Sequence, residues 1–218
     1  MDKELNWGVH INTKSSEARQ KASWILRTFK SRDSATMILL YTVYVRSVME
    51  YCCVLWSPYR VREICKLEAI QRSFTAKIEG LKSLNYWERL QKLGLYSLQR
   101  RRERYAIILV WKIMNKVIPN DINLVFNYSE RRGATCIRQL GNSKVRSINT
   151  LIFNSFQSVG PALFNLVPAR IKSNTTLPIF KFELDKWIRT FPDTPPTPGY
   201  VATNRNSLLD WACSGNQY

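Results

Sequence analysis

The chain has 218 residues, of which 45% are apolar, and its formal net charge at pH 7 is +17. Seven tryptophans, ten tyrosines and nine phenylalanines argue against general disorder, because aromatic side chains of this number support a buried core. The charge excess favours a polyanionic partner, with nucleic acid as the first candidate and an anionic membrane surface as the second.

Two helices are predicted before residue 52. In the first, over 16–30, the apolar residues at helical spacing are Ala18, Ala22, Ile25 and Phe29. The second is capped by Asp33 or Ser34 and ends near Cys52. Its predicted apolar stripe consists of Met37, Leu40, Tyr44 and Val48.

The clearest helical pattern lies in 62–78 and ends at Gly80. Its predicted stripe consists of Ile64, Leu67, Gln71, Phe74 and Ile78. Asn85 and Glu88 have the spacing of a capping box, which begins a short helix to Leu93. Ser97 then caps a longer helix that we expect to run to about Lys116.

Beyond residue 120 the sequence is basic and poor in helical periodicity. Glycine and asparagine at 133, 141 and 142 indicate turns between short extended segments. Pro161 marks a predicted helix start, Thr176 with Pro178 opens another helix, and the proline-rich stretch 192–200 is expected to be extended and exposed. The expected fold is mainly α: a helical bundle over 1–120, a small mixed α/β basic module with short strands and helices over 121–190, and a proline-containing tail over 191–218.

Several linked segments, in a fixed order, resemble one family. They are SSEARQKASWILRTFKSRD (15–33), YVRSVMEYCCVLWSP (44–58), KLEAIQRSFTAKIEGLKSLNYWERLQKLGLYSLQRRRERY (66–105), SFQSVGPALFNLVPARIKS (155–173), FKFELDKWIRTFPDTPPTPGY (180–200) and NSLLDW (206–211). The sequence resembles the C-terminal third of the reverse transcriptase encoded by jockey-like non-LTR retrotransposons, over nearly the whole chain. The resemblance implies a thumb-like bundle over 1–120, followed by the post-thumb region.

The resemblance also implies which parts of that RNA-directed DNA polymerase are missing. In the family a palm domain with adjacent metal-binding aspartates precedes this region, so the sequence is expected to begin just after the palm, without the endonuclease domain. The aspartates of this chain, at 2, 33, 121, 185, 193 and 210, are isolated, whereas a polymerase holds two metal ions about 3.5–4 Å apart between carboxylates. We expect no catalytic residue, no metal and no cofactor, and no polymerase activity from the chain alone.

Four arginines open the helix that follows Ser97. At about 100° per residue, Arg100 and Arg104 share one stripe and Arg101 lies about a quarter-turn away, so these three are candidates for outward contacts. Arg102 aligns with apolar positions and is expected in a buried ion pair or against the core. The resemblance favours phosphate contacts by the outward three, because a polymerase thumb holds the primer–template duplex by its backbone. A solvated first turn with one arginine paired to Glu103, and a nuclear-localisation segment, are the alternatives.

A second set of nucleic-acid-binding candidates follows residue 130. It consists of Arg131, Arg132, Arg138, Lys144 and Arg146. These residues lie either in a solvated loop or in a flexible segment that orders on RNA or DNA. Four tryptophans are expected to pack in the core rather than to stack on bases: Trp7, Trp24, Trp56 and Trp87.

The five cysteines, at 52, 53, 65, 136 and 213, form no CxxC pair, and His10 is the only histidine. This pattern predicts buried reduced thiols rather than a zinc site. The longest apolar stretch, 37–45, is shorter than the roughly 20 residues that cross a bilayer, and the polar N-terminus lacks a signal-peptide core. We expect an intracellular protein, in the nucleus, the cytoplasm or both, with no membrane partner.

Three functional hypotheses remain at this point. The first is a nucleic-acid-binding fragment of the reverse transcriptase, with RNA, DNA or an RNA–DNA hybrid as its partner. The second is a helical interaction or structural protein with no nucleic-acid role. The third is an enzyme that is completed in trans by a separate palm domain.

Overall fold

The computed structural model describes residues 7–130, 133–141, 143–195 and 206–214, and this part of the chain is mainly helical. The helices before residue 120 are α1 (Gly8–Thr28), α2 (Ser34–Leu40), α3 (Ser47–Glu50), α4 (Val61–Thr75), α5 (Tyr86–Lys92) and α6 (Leu98–Met114). Those after it are α7 (Arg146–Asn154), α8 (Phe156–Leu166), α9 (Ala169–Lys172), α10 (Leu177–Ile188) and α11 (Leu208–Ser214). Strands β1 (Phe126–Ser129) and β2 (Gly133–Cys136) form an antiparallel pair. The predicted mainly α fold is therefore confirmed.

The described residues divide into two compact units. Unit 1 contains those of 1–102 and 193–206, and unit 2 contains those of 103–192 and 207–218. The division falls inside α6, after Arg102, whereas the sequence placed the first boundary at residue 120. The first residues of α6 belong to unit 1 through hydrogen bonds to Asp193 and Asn206, and the predicted domain boundary at residue 120 stays a prediction.

The core of unit 1 is built on α1 and α4, which pack against each other. The buried residues of α1 are Ile11, Ser15, Ala18, Ala22 and Ile25. The predicted α4 stripe is confirmed for Ile64, Leu67, Gln71 and Phe74, which are all buried; Ile78 is buried too, but it lies beyond the end of α4 at Thr75. Small residues on the buried face of α1 allow the two helix backbones to approach closely.

Helix starts in unit 1 follow the local sequence closely. Asp33 accepts a hydrogen bond from the Thr36 amide, 2.9 Å away, at the start of α2. Asn85 and Glu88 form the predicted capping box of α5. The predicted helix end at Gly80 is wrong, because α4 ends at Thr75 and Gly80, with φ of 71°, lies in the turn that follows.

A π-helical stretch, Tyr41–Arg46, joins α2 to α3. The buried residues along this continuous helix are Met37, Tyr41, Val45 and Met49. An α-helix turns about 100° per residue, so twelve residues would leave Met37 and Met49 roughly 120° apart. The wider π turn keeps all four on one face. The predicted stripe is therefore wrong beyond Met37: Leu40 and Val48 are half-buried, and Tyr44 is 45% exposed.

Unit 2 contains the β1–β2 hairpin and helices α7–α11. Pro161 lies inside α8 rather than at its start, which is a correction to the predicted helix boundary. A proline in a helix leaves the carbonyl four residues earlier without its amide partner. Here that carbonyl, on Gln157, accepts a hydrogen bond of 3.2 Å from the Gln139 amide, so the helix continues without a buried unpaired oxygen.

The proline-rich tail is less exposed than predicted over the residues that the structure describes. Asp193 accepts a 2.7 Å hydrogen bond from the Ser97 amide, and Pro195 is buried. The carbonyl of Pro195 accepts a hydrogen bond of 3.3 Å from Trp87 Nε1. Residues 196–200 of the predicted extended tail lie outside the described residues.

The cysteine prediction holds in part. Cys52, Cys53, Cys65 and Cys136 are free thiols, and burial raises the pKa of both Cys53 and Cys136 to about 11. Cys52 is exposed and Cys65 half-buried, so the expectation of buried thiols is wrong for Cys52. The side chain of Cys213 lies outside the described part of the chain.

Candidate nucleic-acid interface

Arg100 does not face outward, which corrects the first of the predicted phosphate contacts. Its side chain is fully buried, at 0% exposure. One guanidinium nitrogen donates to the backbone oxygen of Asn206 at 3.1 Å and to its side-chain oxygen at 3.4 Å. Because no part of Arg100 reaches solvent, this side chain cannot touch a phosphate in the observed conformation.

Arg101 and Arg104 also have partners within the protein. Arg101 binds both carboxylate oxygens of Glu50, with an NH2–Oε2 distance of 3.0 Å. Arg104 binds both oxygens of Asp185, with an NH2–Oδ2 distance of 2.7 Å. The predicted outward orientation of these two arginines is wrong, because each side chain is directed to a carboxylate of the protein. The alternative of a solvated first turn is wrong as well, since the two side chains are only 16% and 15% exposed. Arg102 is buried, as expected.

The backbone amides at the start of α6 donate hydrogen bonds to oxygen atoms of the protein itself. Ser97 Oγ accepts from the Arg100 amide at 3.0 Å, which confirms the predicted cap. Glu68 accepts from the Gln99 amide at 2.9 Å, and Asp193 accepts from the Ser97 amide. The positive end of the helix dipole, where a phosphate would be favoured, is therefore matched by two carboxyl groups.

Glu68 belongs to a buried polar network in unit 1. The Tyr86 hydroxyl donates to Glu68 at 2.7 Å, and Gln71 connects Tyr86 to the Tyr41 hydroxyl through contacts of 3.0 and 2.8 Å. Burial raises the pKa of Glu68 to about 7, and the positive charge of Arg102 opposes this shift. The network fixes how α4, α5 and α6 meet, but it has no exposed face for a partner.

The second basic cluster divides into packed and exposed side chains. Arg131 and Arg132 lie outside the described residues. Arg138 is half-buried: its Nε donates to Ser158 Oγ at 2.7 Å, and its guanidinium lies 4.4 Å from the Phe153 ring centroid. Lys144 and Arg146 are exposed, so phosphate contact at these two positions stays a prediction.

The tryptophan prediction is wrong for one of its four members. Trp56 is buried, and Trp7 and Trp87 are half-buried, but Trp24 on α1 is 50% exposed. The Trp24 ring meets Tyr44 edge to face, with centroids 6.4 Å apart and planes at 69°. Tyr44 lies in the π-helical stretch, at the edge of the buried Tyr41–Val45 face, and is exposed there beside Trp24.

Two exposed cations flank Trp24 on α1. Lys21 and Arg27 lie three residues before and three after it, so each falls about 60° from Trp24 around the helix. Within the described part of the chain, neither side chain forms an ion pair; Glu17, the acidic residue of this helix, pairs with Lys14 at 2.9 Å. Trp24, Tyr44, Lys21 and Arg27 together are called the α1 surface below.

The sequence did not identify the α1 surface as a candidate site. The sequence does contain a signal for its two cations: Lys21 and Arg27 lie three residues before and after Trp24, a spacing that places them beside the ring on an α-helix. The exposure of Tyr44 beside Trp24 could not be predicted from the sequence, because a strict 3.6-residue period assigns Tyr44 to the core.

Among the described residues, no group of three or more histidine, cysteine, aspartate and glutamate side chains is placed to hold a metal ion. In the same part of the chain, none of the helices has both the length and the apolar character that crossing a bilayer requires.

Comparison with known proteins gives one weak similarity. No protein-family model matches the chain, and no solved structure matches it. The chain is 28% identical over 105 residues to a Caenorhabditis elegans protein described as uncharacterized protein B0403.1. The match covers 47% of this chain and 53% of that relative, so it spans about half the length of each.

Proposed function

We propose that this chain is a nucleic-acid-binding fragment of a non-LTR retrotransposon reverse transcriptase, acting in the nucleus or cytoplasm without its own catalytic palm or endonuclease. It binds the sugar-phosphate backbone of RNA, DNA or an RNA–DNA hybrid with little regard to sequence. A separate palm domain is a further proposed partner. The resemblance of the sequence to the thumb and post-thumb region of that family supports the family assignment.

The α1 surface is the observation that carries the binding proposal. A net charge of +17 raises the free energy of the compact state through self-repulsion unless a polyanion neutralises it. Lys21 and Arg27 are exposed and belong to no ion pair among the described residues, so binding phosphate would break no ion pair there. Arg101 and Arg104, in contrast, would have to leave Glu50 and Asp185.

The experiment is the salt dependence of binding to a short labelled DNA duplex, followed by fluorescence anisotropy. Each phosphate neutralised on B-DNA contributes about 0.9 to the slope of log affinity against log salt. The double variant Lys21→Gln/Arg27→Gln should therefore lower this slope by roughly 1.8, equally for unrelated sequences. The matched control is Lys77→Gln/Lys82→Gln, which removes two exposed cations elsewhere in unit 1 and should change the slope less.

A second candidate function is binding of a protein partner without any nucleic-acid role. Exposed apolar side chains on the α2–α3 helix favour it, since Leu39 is 63% and Val43 51% exposed. Absence of salt-dependent binding to duplex DNA, RNA and an RNA–DNA hybrid by the full chain would favour this candidate over the first.

A further inference from the structure

Trp24 on α1 has an aromatic ring that is accessible to a binding partner. Half of its surface is exposed, and Tyr44 is its ring partner in an edge-to-face pair. In such a pair each ring can cover at most one face of the other. At least one face of the Trp24 indole is therefore free of Tyr44.

The charges around this ring select the chemistry of its partner. Lys21 and Arg27 lie on either side of Trp24, separated along the α1 axis by about 9 Å. A flat apolar surface between two cations is complementary to a group that is flat and is linked on both sides to anions. A nucleobase with its flanking phosphates has this pattern, and it presents a face only when it is unpaired or unstacked.

We infer that the α1 surface, besides contacting backbone phosphates, is a stacking platform for an unpaired nucleobase, so that a single strand gains a contact at this site that a fully base-paired duplex lacks. The inference rests on the proposed nucleic-acid binding and specifies its substrate. The base stacks on Trp24, Tyr44 supports the indole from the side, and Lys21 and Arg27 meet the phosphates before and after that base.

The π-helical stretch is part of this platform. If 34–50 were a regular α-helix, Tyr44 would lie on the stripe predicted from the 3.6-residue period and would face the core. The π turn instead buries Tyr41 and Val45 and leaves Tyr44 beside Trp24. Such stretches are rare and occur frequently at functional sites, which agrees with a role for this surface in binding.

The test compares two labelled single strands of equal length, oligothymidylate and an oligomer with abasic sites in its central half. Both carry the same phosphates, but the second lacks the bases that stack. Base–aromatic stacking changes affinity by roughly 5- to 150-fold per base. We expect the full chain to prefer oligothymidylate, and Trp24→Ala to bind both strands as the wild type binds the abasic one.

Two variants separate stacking from loss of apolar surface. Trp24→Phe keeps a ring and should recover part of the preference, while Leu39→Ala removes an exposed apolar side chain of the same unit and should keep all of it. An unchanged preference in Trp24→Ala, or an equal loss in Leu39→Ala, would overturn the stacking platform.

Binding of the same proteins to the labelled DNA duplex distinguishes this inference from the proposed function. If Trp24→Ala binds duplex with wild-type affinity and salt slope but loses the preference for bases, the platform is supported. If the wild type binds duplex with a salt-dependent affinity and shows no preference for oligothymidylate over the abasic strand, only the platform is refuted. If the wild type binds no nucleic acid, the proposed function is refuted as well.

Discussion

Replacing Glu68 by glutamine should remove a pH dependence from the stability of unit 1. The pKa of this carboxyl rises from 4.5 in its unperturbed form to about 7 in the folded protein, because burial disfavours its charge. Between these values the folded state holds a proton that the unfolded state has lost. The Glu68 contribution to folding is therefore fully present below about pH 4.5 and is lost as the pH rises through 7.

The size of the effect follows from the two pKa values. Each pKa unit corresponds to about 1.36 kcal/mol, so the shift amounts to on the order of 3 kcal/mol between the two limits. Over the accessible range from pH 5 to pH 8, the unfolding free energy of Glu68→Gln should rise relative to the wild type by about 2–3 kcal/mol. Glutamine keeps an oxygen that can accept from the Gln99 amide.

Urea unfolding measured at pH 5, 6, 7 and 8 tests this expectation, because the difference between the two proteins cancels the titration of all other groups. Glu79→Gln is the matched control: it removes an exposed carboxyl of the same unit and should show no such trend. A constant difference between Glu68→Gln and wild type across this range would refute the argument that Glu68 is buried and protonates near neutral pH.

Three further outcomes are expected. Arg101→Gln should lower the unfolding free energy by about 1–3 kcal/mol in urea titrations, because Glu50 loses its paired hydrogen bonds. The control Lys144→Gln, at an exposed position, should change the unfolding free energy by no more than about 0.5 kcal/mol. Limited proteolysis followed by mass spectrometry should cut first within 128–147 or in the tail after residue 191; early cleavage inside 62–78 or 97–116 would contradict this order. Primer-extension assays with magnesium or manganese should show no synthesis by the pure chain, and template-dependent product would refute the proposed domain assignment.

Local features of this fold were predictable because their causes lie within a few residues. The α4 stripe, the Asn85–Glu88 capping box and the Ser97 cap depend on spacing and side-chain chemistry alone, and all three are found. The turn region after residue 120 likewise contains the expected short strands. The mainly α class follows from such local patterns.

The candidate site was less predictable because its causes are distant or irregular. Arg100, Arg101 and Arg104 have polar partners at positions 206, 50 and 185, and no local pattern shows that these residues meet. The π turn at Tyr41–Arg46 changes the helical period, so Tyr44 moves from the predicted stripe to the surface beside Trp24. Sequence periodicity therefore placed Arg100, Arg101, Arg104 and Tyr44 on the correct helices but on the wrong faces.

Unit 1 is built from two separate segments of the chain, 1–102 and 193–206, and this affects its folding during synthesis on the ribosome. Asn206 connects Ser97, Arg100 and Asp193, so the buried guanidinium of Arg100 gains these partners only after the chain has been made to residue 206. At translation rates of 5–20 residues per second, that residue follows Arg102 by roughly 5–20 s. During this interval the nascent first 102 residues lack the two Asn206 oxygens that accept from Arg100, and a ribosome stalled before residue 193 would present unit 1 without the segment that completes it.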